Sequence, residues 1–168
     1  MSQQIFEYIL KALPGCADAD AAVADNTANG DRPPWVLHVE DDADFSAALK
    51  TRLEAHGVAV VRAFDGMDGM RHAAKYPADA ILLDVEMPNG SGDEVLQMLK
   101  SDERTQAIPV VVLTCRSDRA IRRKMLQLGA AAFLTKPIRF DELHRELSRH
   151  ISILSHNSRN EIFAPSVA

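Results

Sequence analysis

From Trp35 onward, short apolar runs alternate with stretches in which apolar residues recur every three or four positions. The first run, Trp35 to Val39, precedes a predicted helix near Ala43 to His56 that aligns Phe45, Leu49 and Leu53 on one face and stops at Gly57. A strand at Val58 to Arg62 and a helix around Gly66 to Lys75 follow, the helix ended by Tyr76-Pro77. The strand Ala80 to Leu83 leads into Asp84, and a helix over about Asp93 to Ser101 turns Val95, Leu96 and Leu99 inward. Val110 to Leu113 is unbroken aliphatic and β-branched, as a central strand covered on both faces should be. The next helix runs from about Asp118 to Leu128, with Ser117 as its expected N-cap, Ile121, Met125 and Leu128 inward, and Gly129 at its end. The strand Ala131 to Leu134 and a helix over about Phe140 to Leu154, with Leu143, Leu147, Ile151 and Leu154 on its buried stripe, complete the series. Five strand–helix repeats predict an α/β domain, a (βα)5 doubly wound parallel five-stranded sheet over residues 35–154.

The flanks read differently. Ile5, Phe6, Ile9, Leu10 and Leu13 fall at helical spacing, which predicts a short amphipathic helix within residues 1–13. It is either a frayed end or a helix that docks on the domain or on a second subunit, so a homodimer stays open. Residues 14–34, rich in Ala, Asp, Asn, Gly and Pro, read as a flexible acidic linker ending in Pro33-Pro34, and residues 155–168 as a polar C-terminal tail.

Composition narrows the function classes. A chain of 168 residues, 46% hydrophobic, supports one ordinary domain with appendages rather than two domains. The net charge of -5 and pI of about 5.6 argue against nucleic acid as a partner. Cys16 and Cys115 have neither disulfide-framework nor zinc spacing, which suits a reducing compartment. Leu13-Pro14-Gly15-Cys16 superficially resembles a lipoprotein cleavage box, but Glu7 and Lys11 interrupt the stretch before it and no basic segment precedes. No run is long and apolar enough for a membrane helix, so no membrane is expected and a cytoplasmic location is the default.

In an open parallel sheet, ligands bind outside the carboxyl ends of the strands. Those ends carry Glu40-Asp41-Asp42, Asp84, Thr114 and, just past the last strand, Lys136. Carboxylates at Glu40, Asp41 and Asp84 repel, so either one keeps its proton or a cation sits among them. Mg2+ suits such a half-open cluster because it binds through one or two carboxylates while keeping waters and taking phosphate oxygens. Lys136 offers a point charge and Thr114 a hydroxyl donor for a phosphoryl group, and Asp84 is left as the attacking carboxylate.

The motifs Val39-Glu40-Asp41-Asp42, Leu82-Leu83-Asp84-Val85-Glu86-Met87-Pro88, Gly92, Val111-Val112-Leu113-Thr114 and Phe133-Leu134-Thr135-Lys136-Pro137 stand in this order at compatible spacings. Together they resemble the receiver domain of bacterial response regulators, in the single-domain manner of the chemotaxis regulators. The resemblance implies a flavodoxin-like strand order 2-1-3-4-5. It also implies that Asp84 accepts a phosphoryl group from a phosphohistidine of a histidine kinase or histidine phosphotransfer protein. Glu40, Asp41, Asp84 and the backbone carbonyl of Glu86 would serve Mg2+, and Lys136 would contact the phosphoryl group. Thr114 would swing toward the phosphate as the ring of Phe133 turns inward, repacking a face of helix 4, strand 5 and helix 5 that a downstream protein target reads. Glu86, Cys115 and Arg116 fall at modulator positions, with Glu86 and Arg116 tuning phosphoryl lifetime. A cis Lys136-Pro137 bond is implied as well.

Two departures from the family pattern stand out: Cys115 after the threonine, and His38 in strand one, expected as a half-buried, hydrogen-bonded residue. His56, His72, His144, His150 and His156 read as surface residues. Arg119, Arg122 and Arg123 form a basic helix face that is either solvated or a dock for an acidic partner. The leading expectation is a stand-alone signalling phosphoacceptor rather than an enzyme. The alternatives are a phosphorylation-independent scaffold of the same fold and, further off, a phosphohydrolase with an aspartyl nucleophile.

Overall fold

The computed structural model describes residues 33–87, 90–153 and 162–163. Five strands, β1 (Trp35–Val39), β2 (Ala59–Ala63), β3 (Ala80–Asp84), β4 (Val110–Thr114) and β5 (Ala132–Thr135), form one sheet in the order β2-β1-β3-β4-β5. All its pairings are parallel. The expected architecture and strand order are thus present. Every residue of β1, β3 and β4 is buried, which is why these strands read as continuous apolar runs rather than alternating ones.

Helices cover both faces. On one side α2 (Gly66–Lys75), α3 (Gly92–Ser101) and α4 (Arg119–Gln127) seal a core containing Leu37, Val39, Ile81, Leu83, Val95, Leu96, Leu99, Ile121 and Met125. On the other, α1 (Ala43–Glu54) and α5 (Phe140–Leu147) pack Phe45, Leu49, Leu53, Phe140, Leu143 and Leu147 against Val36, Leu82, Val111 and Leu113. Each such side chain contributes about 1.5–3 kcal/mol by leaving water, so the sheet is held between two cores.

The termini of the helices follow local chemistry. The Asp42 carboxylate accepts from the N–H groups of Asp44 and Phe45, both at 2.9 Å, and caps α1. Asp65 caps α2 in the same way. The cap of α4 is Asp118, accepting from Ile121 N–H at 2.8 Å, rather than Ser117; its charged oxygen is the stronger acceptor at a positive helix end. Gly57 and Gly129 end α1 and α4 with φ of 78° and 98°, a conformation that favours glycine.

Some boundaries differ from expectation. The last helix ends at Leu147, not near Leu154. There the Ser148 hydroxyl donates to His144 O at 2.7 Å and His150 N–H reaches Leu147 O, tightening the chain into a turn. Ile151 nonetheless stays buried, because the turn carries it to the same side as Leu147. The predicted helix within residues 1–13 and nearly all of the linker 14–34 lie outside the described residues, as does most of 155–168. Pro34 O accepts from Ala59 N–H, so the linker's end already belongs to the sheet. Within the tail, Ile162–Phe163 pairs antiparallel with Ile138–Arg139, where a plain polar tail was expected.

Candidate functional site

The carboxyl ends of β1, β3, β4 and β5 bring the expected groups together. Glu40 and Asp84 are 1% and 4% exposed, Thr114 and Lys136 are buried, and Asp41 faces solvent. Oxygens of Glu40, Asp41 and Asp84 lie within 4.8 Å of one another, a spacing that could hold a metal ion. Lys136 Nζ donates to Glu40 Oε2 at 2.7 Å and to Asp84 Oδ2 at 2.8 Å. Its ammonium also sits 4.2 Å from the centre of the Phe45 ring, which covers the charge on the apolar side. The second Asp84 oxygen, Oδ1, accepts from Glu86 N–H at 2.8 Å.

Burial pushes Asp84 up to about 6, against the pull of Lys136. Burial also acts on Glu40, but there His38 and Lys136 outweigh it and the carboxyl is held below its usual range. The Lys136 ammonium pays for desolvation and is still raised, because Asp84 and Glu40 both favour its charge. The three groups therefore form a buried ion cluster in which Asp84 is the carboxylate least content with its negative charge.

Asp42, next to two of the acidic groups, is committed to capping α1. That division of labour follows from position, since Asp42 is the residue at which the chain enters the helix. The loop that carries Glu86 is shaped by a short antiparallel ladder between Glu86–Met87 and Gly90–Ser91; Pro88 and Asn89 lie outside the described residues. Gly92 closes this loop. A Cβ there would lie 2.4 Å from Val85 Cα and 2.7 Å from Asp84 O, so the close approach of the two backbones requires glycine.

Glu86, Cys115 and Arg116, expected as modulators, line the rim. Cys115 N–H donates to Glu86 Oε2 at 3.1 Å, and the Thr114 hydroxyl lies 3.5 Å from the same oxygen. Arg116 N–H donates to Thr114 Oγ at 3.1 Å, while its guanidinium pairs with Asp118. Burial pushes the Cys115 thiol up, away from thiolate chemistry. Phe133 is 5% exposed, with the Arg122 guanidinium 5.9 Å from its ring centre; the ring is inward here. The Lys136-Pro137 bond is cis.

Two histidines depart from expectation. His38 is fully buried rather than half-buried, with Nδ1 3.0 Å from Ser46 Oγ and Nε2 3.6 Å from Glu40 Oε2, and burial lowers its basicity. His56 is buried rather than on the surface: Nδ1–H donates to Arg52 O at 2.8 Å and the ring packs tilted against Phe140, with centroids 4.7 Å apart. It sits just past the end of α1, where its ring meets a carbonyl of the last helical turn. Sequence reasoning also missed Arg62. Its guanidinium donates to the backbone carbonyls of Glu40, at 2.8 Å, and of Asp41, tying edge strand β2 to the loop that bears both acids. The available signal was an arginine in a strand otherwise made of Val and Ala.

Among known proteins, residues 36–148 match the response regulator receiver domain. Hybrid signal transduction histidine kinase D of Dictyostelium discoideum is 37% identical over 110 residues, which are 66% of this chain and 7% of that one. The chain spans less than half the length of the curated relatives it matches. The Vibrio cholerae chemotaxis protein CheY4 is similar at a TM-score of 0.67 and 26% identity, covering 71% of this chain and 99% of that one. The receiver domain of sensor histidine kinase PA1611 from Pseudomonas aeruginosa PAO1, solved with a magnesium ion coordinated in its active-site cleft, is similar at a TM-score of 0.65 and 29% identity, covering 70% and 97%. With a doubly wound sheet, an acidic cluster at its carboxyl edge and residues 36–148 matched, the chain belongs to the response regulator receiver domain family.

Proposed function

We propose that this chain is a signalling phosphoacceptor: Asp84 takes a phosphoryl group from a phosphohistidine of a histidine kinase or histidine phosphotransfer protein. The observation that carries the reading is the Lys136 ammonium held between the Asp84 and Glu40 carboxylates at the carboxyl edge of the sheet. A buried carboxylate with a cation at hand, next to an open acidic rim, is what an aspartyl nucleophile requires. In the transfer an Asp84 oxygen attacks phosphorus as the N–P bond breaks. The bonding pair leaves on the imidazole nitrogen, which takes a proton from solvent if it is not already protonated. Lys136 then offsets negative charge on a phosphoryl oxygen.

The donor set fits Mg2+. Among the described residues the grouped ligands, Glu40, Asp41 and Asp84, all offer oxygen, Asp41 faces solvent, and burial raises Asp84 to about 6. Glu40, Asp41, Asp84 and the Glu86 carbonyl would hold the ion, Glu40 directly or through water. When bound, it neutralises carboxylate and phosphoryl oxygens together. Thr114 and Phe133 serve the response. Thr114 gains a new acceptor, and the ring of Phe133, with Arg122 across it, repacks the face of α4, β5 and α5 toward a downstream protein. The chain catalyses its own phosphoryl transfer and loss, and is not proposed to turn over a separate substrate.

The deciding experiment is Mg2+-dependent labelling by acetyl phosphate with Asp84→Asn as control, combined with partner capture in the presence and absence of beryllofluoride. Labelling that depends on Asp84, with partners that differ between the two states, is expected. Absence of labelling together with identical partners in both states would favour the scaffold reading.

A further inference from the structure

Glu86 is connected to the site twice, once through each end of the residue. Its backbone N–H donates to Asp84 Oδ1 at 2.8 Å, and its side-chain Oε2 accepts from Cys115 N–H at 3.1 Å and lies 3.5 Å from Thr114 Oγ. The direction of the weaker contact is fixed by its neighbour. Thr114 Oγ already accepts from Arg116 N–H at 3.1 Å, so its own proton is free to point at the Glu86 carboxylate. An N–H and an O–H at the end of β4 therefore converge on one anionic oxygen.

These donors stand beside the phosphoacceptor. β3 and β4 pair directly, with Asp84 opposite Leu113, so Thr114, the last residue of β4, and Cys115 follow one and two residues past the partner of Asp84. Neighbouring strands lie about 4.8 Å apart, within reach of an oxygen on a phosphoryl group attached to Asp84. Glu86 is exposed, and a long side chain that could remain in water instead places its carboxylate against two donors of the rim.

We infer that the Glu86 carboxylate stands in for a phosphoryl oxygen in the resting chain, and that phosphorylation of Asp84 must displace it from Thr114 and Cys115. This rests on the phosphoacceptor reading and gives Glu86 a definite role as a positioning residue and internal competitor. Two anions compete for one pair of donors, so the resting contact lowers the apparent affinity for any phosphoryl group or analogue. It also keeps the Thr114 hydroxyl aimed at the site before the phosphate arrives.

The test compares wild type with Glu86→Ala, Glu86→Gln and, as a control for loss of one exposed charge, Glu94→Gln on α3. Glu86→Ala leaves the N–H bond to Asp84 and the Glu86 carbonyl in place. In metal-free protein, the Cys115 amide resonance should move upfield and exchange faster in Glu86→Ala. Titration with beryllofluoride at saturating Mg2+, followed by amide resonances, should half-saturate at roughly five- to tenfold lower concentration in Glu86→Ala, with Glu86→Gln between and Glu94→Gln unchanged. A merely structural contact would act in the other direction, since its loss weakens binding. An unmoved Cys115 amide, or equal or weaker beryllofluoride binding in Glu86→Ala, overturns the inference while leaving the phosphoacceptor reading intact. Equal gains in Glu86→Gln, Glu86→Ala and Glu94→Gln reduce it to net charge and also overturn it. Failure of the wild-type protein to bind beryllofluoride overturns the phosphoacceptor reading, and this inference with it.

Discussion

Replacing Asp84 with Asn removes a buried charge that the folded chain disfavours when no cation is bound. Folding raises this carboxyl from 3.8 to about 6, so the native state binds more protons than the unfolded chain between roughly pH 4 and 6. Raising the pH through that window therefore lowers stability, and above it the full penalty is present. A shift of about two units corresponds to about 3 kcal/mol. Asn gives back part of this, because an amide is a weaker acceptor for Lys136 and Glu86 N–H, while Lys136 keeps its 2.7 Å pairing with Glu40. The expected net gain for Asp84→Asn is about 1–3 kcal/mol at pH 7.5, or about 3–5 °C in Tm per kcal/mol for a domain of this size. The assay is thermal and urea unfolding in EDTA at pH 4.0, 5.0, 6.0 and 7.5. The gain should be near zero at pH 4.0, grow through pH 6 and level off. Saturating Mg2+ should narrow it by stabilising the wild type alone. A variant less stable than wild type at pH 7.5, or a gain independent of pH, would refute the account of Asp84 as a carboxylate held against its burial.

Lys136→Met leaves two buried carboxylates facing each other without a counter-charge, and should cost about 3–5 kcal/mol in urea unfolding at pH 7.5. The loss should shrink at pH 5, where Asp84 takes up a proton; an equal loss at both pH values would count against the ion-cluster geometry. Gly92→Ala forces a methyl group against Val85 Cα and Asp84 O, backbone atoms that cannot rotate away. It should destabilise by at least about 2 kcal/mol and weaken beryllofluoride binding, and a neutral Gly92→Ala would show that the loop yields more easily than its packing implies.

The sheet and the site were legible in the sequence for one shared reason: in a parallel sheet every strand must end at the same edge, so locating the strands also locates the chemistry. Asp84 and Lys136 lie far apart in the chain, yet each follows its strand's last apolar residues by at most two positions. What escaped was decided by backbone groups, which carry no residue letter. Arg62 binds carbonyls, His56 binds a carbonyl in the last turn of α1, and α5 stops where Ser148 finds one. His38 was noticed but placed too near the surface, because its partner Ser46 sits on α1 and looks like an ordinary helix residue. Glu86 was singled out by position alone; the direction of its carboxylate depends on a hairpin and on two donors from β4.

Arg62 gives the outermost strand a grip on the acidic loop. β2 contributes no carboxylate and lies one strand removed from Asp84, yet its guanidinium fixes the two carbonyls from which Glu40 and Asp41 hang. The alignment of the charged rim is thus partly under the control of the sheet's edge. A ligand, a partner or a substitution that bends β2 would pull on the acids like a lever, through the main-chain carbonyls that Arg62 holds.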